Sequence, residues 1–238
     1  MPVSQSAVVH QAIIQVAYDE GIVYLDHCGS LSRDLQKILG KGFRFALPSV
    51  QQGLMRSDLE RLTLTYGPES LGVVQEGVHE VARFAQVSNW AWRETARALE
   101  VGKKVSRCGI RFIQLFETQS AEEAEEALLR SGFLRETETW TGLFGSCASR
   151  SFVGVSRGSG WMSIRSELAV KTIEIVDDPP AEMKPFLPRF SVSLDTDFVL
   201  VEHGPSELNY VDLKEAVLRA WTKARELAAS VGERISSA

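Results

Sequence analysis

The chain has 238 residues, of which 44% are hydrophobic and 24% charged, a balance typical of a folded globular protein. Its formal net charge of −5 disfavours direct nucleic-acid binding, since nonspecific nucleic-acid binders are usually basic. The three cysteines, Cys28, Cys108 and Cys147, are far apart and odd in number. This pattern argues against a disulfide framework and favours a reducing compartment.

The sequence also lacks the signals of a membrane or secreted protein. No run of apolar residues approaches the roughly 18 that are needed to cross a bilayer. The N-terminal segment has no basic stretch followed by a long apolar one, so we predict no secretion signal. We therefore expect a cytoplasmic protein without a membrane partner.

The N-terminal half alternates between predicted strands and helices. A strand over 7–18 opens the chain, and a short helix capped by Ser30 follows and ends at Gly40. We expect an irregular loop through Pro48 and Gly53, then strands over 59–66, 71–75 and 78–85. A helix capped by Ser88 or Asn89 then runs to the region of Gly102. The side chains of the opening strand that are predicted to face the core are Val8, Ala12, Ile14, Val16 and Tyr18.

The segment 106–132 gives the clearest strand and helix of the chain. Its strand alternates between two faces, and apolar residues on both faces predict an interior strand that is covered on both sides, at least over its second half. The helix begins with Ser120 and has Glu123 three residues later, a capping box, and it ends at Gly132. One strand face carries Cys108, Ile110, Phe112, Gln114 and Phe116, and the other carries Arg107, Gly109, Arg111, Ile113, Leu115 and Glu117.

The C-terminal half is predicted to hold further strands and a long final helix. The strands are expected over 139–148, 150–155, 161–168, 170–176 and 189–201, with a hairpin turn at 157–160. Four prolines make 177–188 an irregular connection. The final helix is predicted to begin after Asn209 and to end at Gly232, with an apolar stripe that includes Trp221.

These elements predict an α+β fold, mainly antiparallel sheet with packed helices. Residues 1–103 and 104–238 share the order strand, helix, several strands, helix. Two organisations fit this order: two similar halves with those boundaries, or one continuous domain.

Local motifs for common chemistries are absent from the sequence. There is no Walker A loop and no G-x-G-x-x-G after a strand. The spacing G-x-S-x-G does occur at 154–158, but in a predicted hairpin and not at the strand-to-helix turn of a nucleophile elbow. The four histidines are isolated and no C-x-x-C occurs, so we predict neither a metal nor a cofactor. The cysteines are interpreted as small buried residues. No catalytic residue can be assigned on these grounds.

A set of arginines is the one constellation that suggests binding. Those on the central strand and around the later hairpin are expected to converge on one side of a sheet, where guanidinium groups suit carboxylates or phosphates. The alternative is that the strand arginines form ordinary ion pairs with Glu167, Glu174 or the acidic helix. The candidate anion-binding or partner-binding residues are Arg107, Gly109, Arg111, Arg150, Arg157 and Arg165.

The segment from Arg107 to Ile113 resembles the hallmark strand of a sporadically distributed bacterial family of uncharacterised proteins. That hallmark has the form R-x-G-[IL]-R-[YF]-[IV], and Gln114 stands where the family usually has Asn. The wider layout is similar too, with an opening Val/Ile-rich strand, late hairpins and a C-terminal helix that bears tryptophan. The family's patchy distribution implies an accessory or defence-associated role.

From these features we expect a non-enzymatic binding protein that belongs to a larger bacterial assembly and contacts another protein or itself. The alternative is an enzyme or sensor for an anionic small molecule such as a nucleotide. In that alternative the arginines act as clamps, and Asp195, Asp197 or Glu174 provide acid–base or metal-binding groups.

Overall fold

The structure is a computed structural model. It describes residues 6–19, 23–48, 51–78, 80–101, 105–132, 151–156, 163–172, 188–200 and 212–237. For 45–48, 151–156 and 163–172 the backbone alone is described.

The described strands form one nine-stranded sheet in which all neighbours are antiparallel. The order across the sheet is β2-β3-β4-β5-β1-β6-β9-β8-β7, so β1 and β6 lie side by side at its centre. The strands are β1 (Val8–Tyr18), β2 (Arg44–Pro48), β3 (Gly53–Ser57), β4 (Leu62–Tyr66), β5 (Ser70–Glu76), β6 (Val105–Thr118), β7 (Ser151–Ser156), β8 (Ser163–Thr172) and β9 (Phe190–Val199).

Four helices among the described residues pack on one face of this sheet. They are α1 (Tyr24–Leu39), α2 (Val81–Leu99), α3 (Ala121–Arg130) and α4 (Leu213–Ser237). Buried residues of α1, α2 and the first part of α4 share a hydrophobic cluster with Ile110 and Phe112 of β6. Those of α3 and the end of α4 share a second cluster with Phe116. Since alternate residues of a strand lie on the same face, all four helices cover one side of β6.

The centre of the core lies where β1 and β6 pair. Ile14 is opposite Ile110, Ala12 is opposite Phe112, and all four side chains are fully buried. The ring of Phe112 also contacts Trp221 of α4, with ring centroids 5.3 Å apart. These contacts tie the final helix to the middle of the sheet.

The predicted α+β class is confirmed, and so are its two best-patterned strands. Ala12, Ile14, Val16 and Tyr18 are buried on the helix-covered face, as the alternation of the opening strand predicts. Val8, also predicted to face the core, is only half-buried, because a register shift between Val9 and Gln11 places Val9 in the core instead. The central strand lies between β1 and β9, and in its second half Leu115 and Phe116, on opposite faces, are both buried. The Ser120 hydroxyl accepts a hydrogen bond from the Glu123 amide at 3.1 Å, which confirms the helix cap. The Glu123 carboxylate accepts one from the Gln119 amide at 2.6 Å.

Several predicted boundaries in the N-terminal half are wrong. The predicted strand over 78–85 is instead the beginning of α2 at Val81, and α1 begins at Tyr24, ahead of Ser30. The segment expected to be a loop holds the hairpin of β2 and β3, and the strand predicted over 59–66 starts only at Leu62.

In the C-terminal half, the predicted hairpin is confirmed by the antiparallel pairing of β7 with β8. The separate strand predicted from 170 is wrong at its start, because β8 continues unbroken to Thr172. The final helix also extends past Gly232 to Ser237. The predicted strand over 139–148, the turn at 157–160 and the Asn209 cap lie outside the described residues, and the division into two halves stays a prediction.

Candidate functional site

The sheet face opposite the four helices carries the predicted arginines of the central strand. We call this surface the open face. It includes Gln15 of β1, then Arg107, Gly109 and Arg111 of β6, and Asp195 and Asp197 of β9, which the two ladders place side by side. Farther along the same strands Leu115 and Ser191 are buried, so on β6 and β9 the accessible part of the face is centred on the arginines.

Arg111 forms a two-pronged ion pair with Asp195. Its Nε donates to Oδ1 of Asp195 at 2.7 Å, and its Nη2 donates to Oδ2. This is the parallel fork that makes arginine–carboxylate pairs specific in geometry. The arginine side chain is 47% exposed and the aspartate 19%, so the carboxylate lies beneath the guanidinium group.

Arg107 pairs with the second aspartate through a single hydrogen bond. Its Nη2 donates to Oδ2 of Asp197 at 3.0 Å. The arginine side chain is 48% exposed and the aspartate 26%. Arg107 is therefore held at one nitrogen, whereas Arg111 is held at two.

Gly109 explains how Arg107 reaches its partner. A Cβ atom at position 109 would lie 3.4 Å from Oδ1 of Asp197 and 3.6 Å from Nη2 of Arg107. The guanidinium group therefore extends along the strand over the glycine. Any larger side chain at 109 would occupy the space through which Arg107 and Asp197 meet.

The charges of these four residues alternate in sign along the open face, and each ion pair contributes modest stability. Arg111 lies directly opposite Asp197 in the ladder but binds Asp195, while Arg107 binds Asp197. Cross-strand charge pairs at exposed positions contribute about 0.2–1 kcal/mol each. The pairs therefore determine the charge pattern of the surface more than they contribute to the stability of the fold.

The remaining predicted arginines are placed only in part. The backbone register puts Arg165 of β8 opposite Asp197, and Glu167 opposite Asp195. Arg165 thus belongs to the same row as Arg111. Arg150 and Arg157 lie outside the described residues.

The pairing of the strand arginines with Asp195 and Asp197 is a finding that the sequence did not yield. Ion pairing was expected with Glu167, Glu174 or the acidic helix, and the two aspartates were assigned to the alternative metal or acid–base role. Each aspartate instead accepts a hydrogen bond from an arginine. Within the described ranges no group of three or more His, Cys, Asp or Glu side chains is arranged to hold a metal ion. The spacing of two aspartates at i and i+2 was the available signal, because it places both on one strand face.

Cys108 is a buried structural residue. It is fully buried on the helix-covered face of β6. Burial raises the pKa of its thiol to about 12, although the nearby Arg107 acts in the opposite direction. The thiol is therefore protonated at neutral pH, and a thiol in that state is a poor nucleophile.

A second polar cluster lies where α1 packs against the ends of β3 and β4. The Tyr66 and Ser32 hydroxyls are hydrogen bonded at 2.5 Å, and the Ser32 hydroxyl donates to the Cys28 carbonyl at 2.6 Å. Burial raises the pKa of Tyr24 to about 12, with smaller contributions from Tyr66 and Cys28. The cluster holds α1 on the sheet.

No protein-family model and no curated protein matches the chain. The resemblance at 107–113 therefore stays a prediction. Among the helices of the described ranges, none is both long enough and apolar enough to span a membrane.

Proposed function

We propose that this chain is a non-enzymatic interaction protein that binds another protein through the open face of its sheet. Its place is in a larger bacterial assembly. A defence-associated role is implied by the resemblance at 107–113 alone. The observation that carries the proposal is the pair of arginine–aspartate bridges at the accessible centre of the one sheet face that no described helix covers.

The charge arrangement supports a protein partner over a small anionic ligand. A clamp on a small anion requires several converging guanidinium groups whose forks are open, and of the two strand arginines Arg111 has its fork occupied by Asp195. Acid–base or metal chemistry requires available carboxylates, and Asp195 and Asp197 each accept a hydrogen bond from an arginine. Alternating charges on an extended surface instead suit protein interfaces, where they select partners and orientation.

The described helices also support the assignment of the contact surface. Most of their apolar residues are buried against the other sheet face, and Leu25 and Ile38 of α1 are the large apolar side chains of these helices that are exposed. Their exposed sides carry local ion pairs, such as those of Asp34 with Lys37 and Arg97. The open face is thus a broad described surface that is available to a partner.

The test is affinity purification from the source organism with two matched variants. Gln15→Trp places a large side chain at an exposed position of the open face, and Gln36→Trp makes the same change at an exposed position of α1. We expect one protein to co-purify with the wild type and Gln36→Trp at equal yield, and to be lost with Gln15→Trp. Equal recovery with both variants would contradict the proposed surface. Recovery of a bound metabolite without a protein would favour the small-anion alternative.

A further inference from the structure

Arg107 has donors to spare, unlike Arg111, the other arginine of β6 on the open face. Of its five N–H groups, one on Nη2 is engaged by Asp197, and the part of the chain that the structure describes provides no partner for Nε or Nη1. Arg111 differs, because Asp195 engages both its Nε and its Nη2. The outward edge of Arg107 is therefore the accessible hydrogen-bonding edge.

The neighbouring strand places an exposed carboxamide beside this edge. Gln15 of β1 is directly opposite Gly109, the residue over which the Arg107 guanidinium lies. Ala17 is directly opposite Arg107 and is too small to cover it. Gln15 is exposed, and no described residue bonds to its side chain. A guanidinium and a carboxamide thus lie side by side on the open face.

The order of the two ion pairs along the strands determines the sign of the charge near Arg107. Along β6 and β9 the described bridges join Arg107 to Asp197 and Arg111 to Asp195, so Arg107 is the positive end and Asp195 the negative end. An incoming anion is attracted to the Arg107 end and repelled at the other. Arginine N–H groups bind carboxylates strongly, and a glutamine NH₂ group supplies a further donor.

We infer that Arg107 and Gln15 form the contact for a carboxylate of an acidic segment on the partner protein. This inference rests on the proposed function and names the partner's chemistry. Small-molecule sites are concave and enclose most of their ligand, whereas the exposed face of a sheet contacts a ligand from one side. A protein segment compensates for this by making further contacts along the face.

The test is an NMR titration of the whole chain with a defined peptide. The probe is a capped peptide with three consecutive glutamates, and its control is the same peptide with glutamines. We expect the glutamate peptide to shift the Arg107 Nε–H and Gln15 side-chain NH₂ signals, with an affinity that falls as salt rises. The glutamine peptide should leave both signals in place.

Two variants that each remove one positive charge test whether the binding depends on Arg107 itself. Arg107→Gln should weaken binding of the glutamate peptide at least fivefold. Arg56→Gln removes the same charge from an exposed arginine on β3, and it should weaken binding less than twofold. Arg107→Lys keeps the charge without the fork and should give an intermediate affinity. A native spectrum for each variant shows that folding is retained.

Three outcomes would overturn the inference. Equal weakening by Arg107→Gln and Arg56→Gln would show a diffuse charge effect. Equal shifts with acetate at the same carboxylate concentration would show a small-carboxylate site. Absence of shifts with the glutamate peptide would remove the carboxylate contact altogether. If the co-purified protein still depends on Gln15 in that last case, the proposed function stands and only the partner's chemistry is wrong.

Discussion

Replacing Gly53 with alanine should destabilise the fold, because the ring of Tyr66 occupies the space that a side chain would need. A Cβ atom at position 53 would lie 2.2 Å from Cζ of Tyr66, 2.4 Å from Cε2 and 2.6 Å from the hydroxyl oxygen. Tyr66 is 1% exposed, and it is opposite Gly53 in the ladder between β3 and β4. The ring cannot simply swing into solvent.

The magnitude follows from the distance that the ring must move. Ordinary contact begins near 3.4 Å, so the ring must shift by about 1 Å, and its hydrogen bond to Ser32 must lengthen or break. Overpacking of this kind costs about 1–3 kcal/mol, and loss of a hydrogen bond about 0.5–1.5 kcal/mol. We expect the free energy of unfolding to fall by about 2–4 kcal/mol.

Urea denaturation provides the assay, and Gly29→Ala provides the control. Gly29 lies inside α1 with no atom within 4 Å of the added Cβ, so alanine there should stabilise the fold by about 0.5–1 kcal/mol. In a Tyr66→Val background the cost of Gly53→Ala should largely disappear, since the obstructing ring is gone. The reasoning is refuted if Gly53→Ala is neutral or stabilising, or if its cost is unchanged by Tyr66→Val.

Three further predictions concern other described contacts. Arg83→Leu removes two 2.9 Å hydrogen bonds from the half-buried Arg83 to Glu60. The free energy of unfolding, measured by urea denaturation, should fall by about 1–2 kcal/mol, and an effect below about 0.3 kcal/mol would contradict this prediction. Ser120→Ala should cost about 1 kcal/mol and speed amide exchange in α3, and unchanged exchange at the Glu123 amide would count against the cap. Because burial raises the pKa of Cys108 to about 12, the unfolded chain loses this proton at lower pH than the folded chain, so stability should fall from about pH 9 upward by at most about 1.4 kcal/mol per pH unit from this group. The fall should be shallower in Cys108→Ala, and equal slopes for the two proteins would exclude this linkage.

Strands with a sustained alternation were predictable from the sequence. β1 and β6 are long, and on each the helix-covered face repeats every second residue, which is the signal that a half-buried strand leaves. The capping box at Ser120 was predictable for the same reason, because both of its residues are local. A pattern whose residues lie within a few positions of one another can be identified without knowledge of the rest of the fold.

The starts of α1 and α2 were misjudged because two serines resemble caps. Inside α2 the buried Ser88 hydroxyl donates to the Phe84 carbonyl at 2.7 Å, and inside α1 the Ser30 hydroxyl donates to the His27 carbonyl at 2.9 Å. Each hydroxyl donates to a carbonyl of the preceding helical turn. From the sequence alone, this role cannot be distinguished from that of an N-cap at the beginning of a helix. The β2–β3 hairpin was missed because Pro48 and Gly53 stand at its ends and favour a loop in isolation.

The geometry of the arginine–aspartate bridges depends on spacings that come from two distant segments. Arg107 and Arg111 are about 13 Å apart along β6, whereas Asp195 and Asp197 are only about 7 Å apart along β9. Two direct cross-strand pairs are therefore impossible. Arg111 reaches past the directly opposite Asp197 to Asp195, and Arg107 leans along the strand toward Asp197. Gly109 leaves the room for that lean. In this leaning position Arg107 uses only one nitrogen to bind Asp197, so its outer edge stays available. The different spacings of the arginines and the aspartates therefore make the two bridges unequal, and this inequality provides the proposed carboxylate contact.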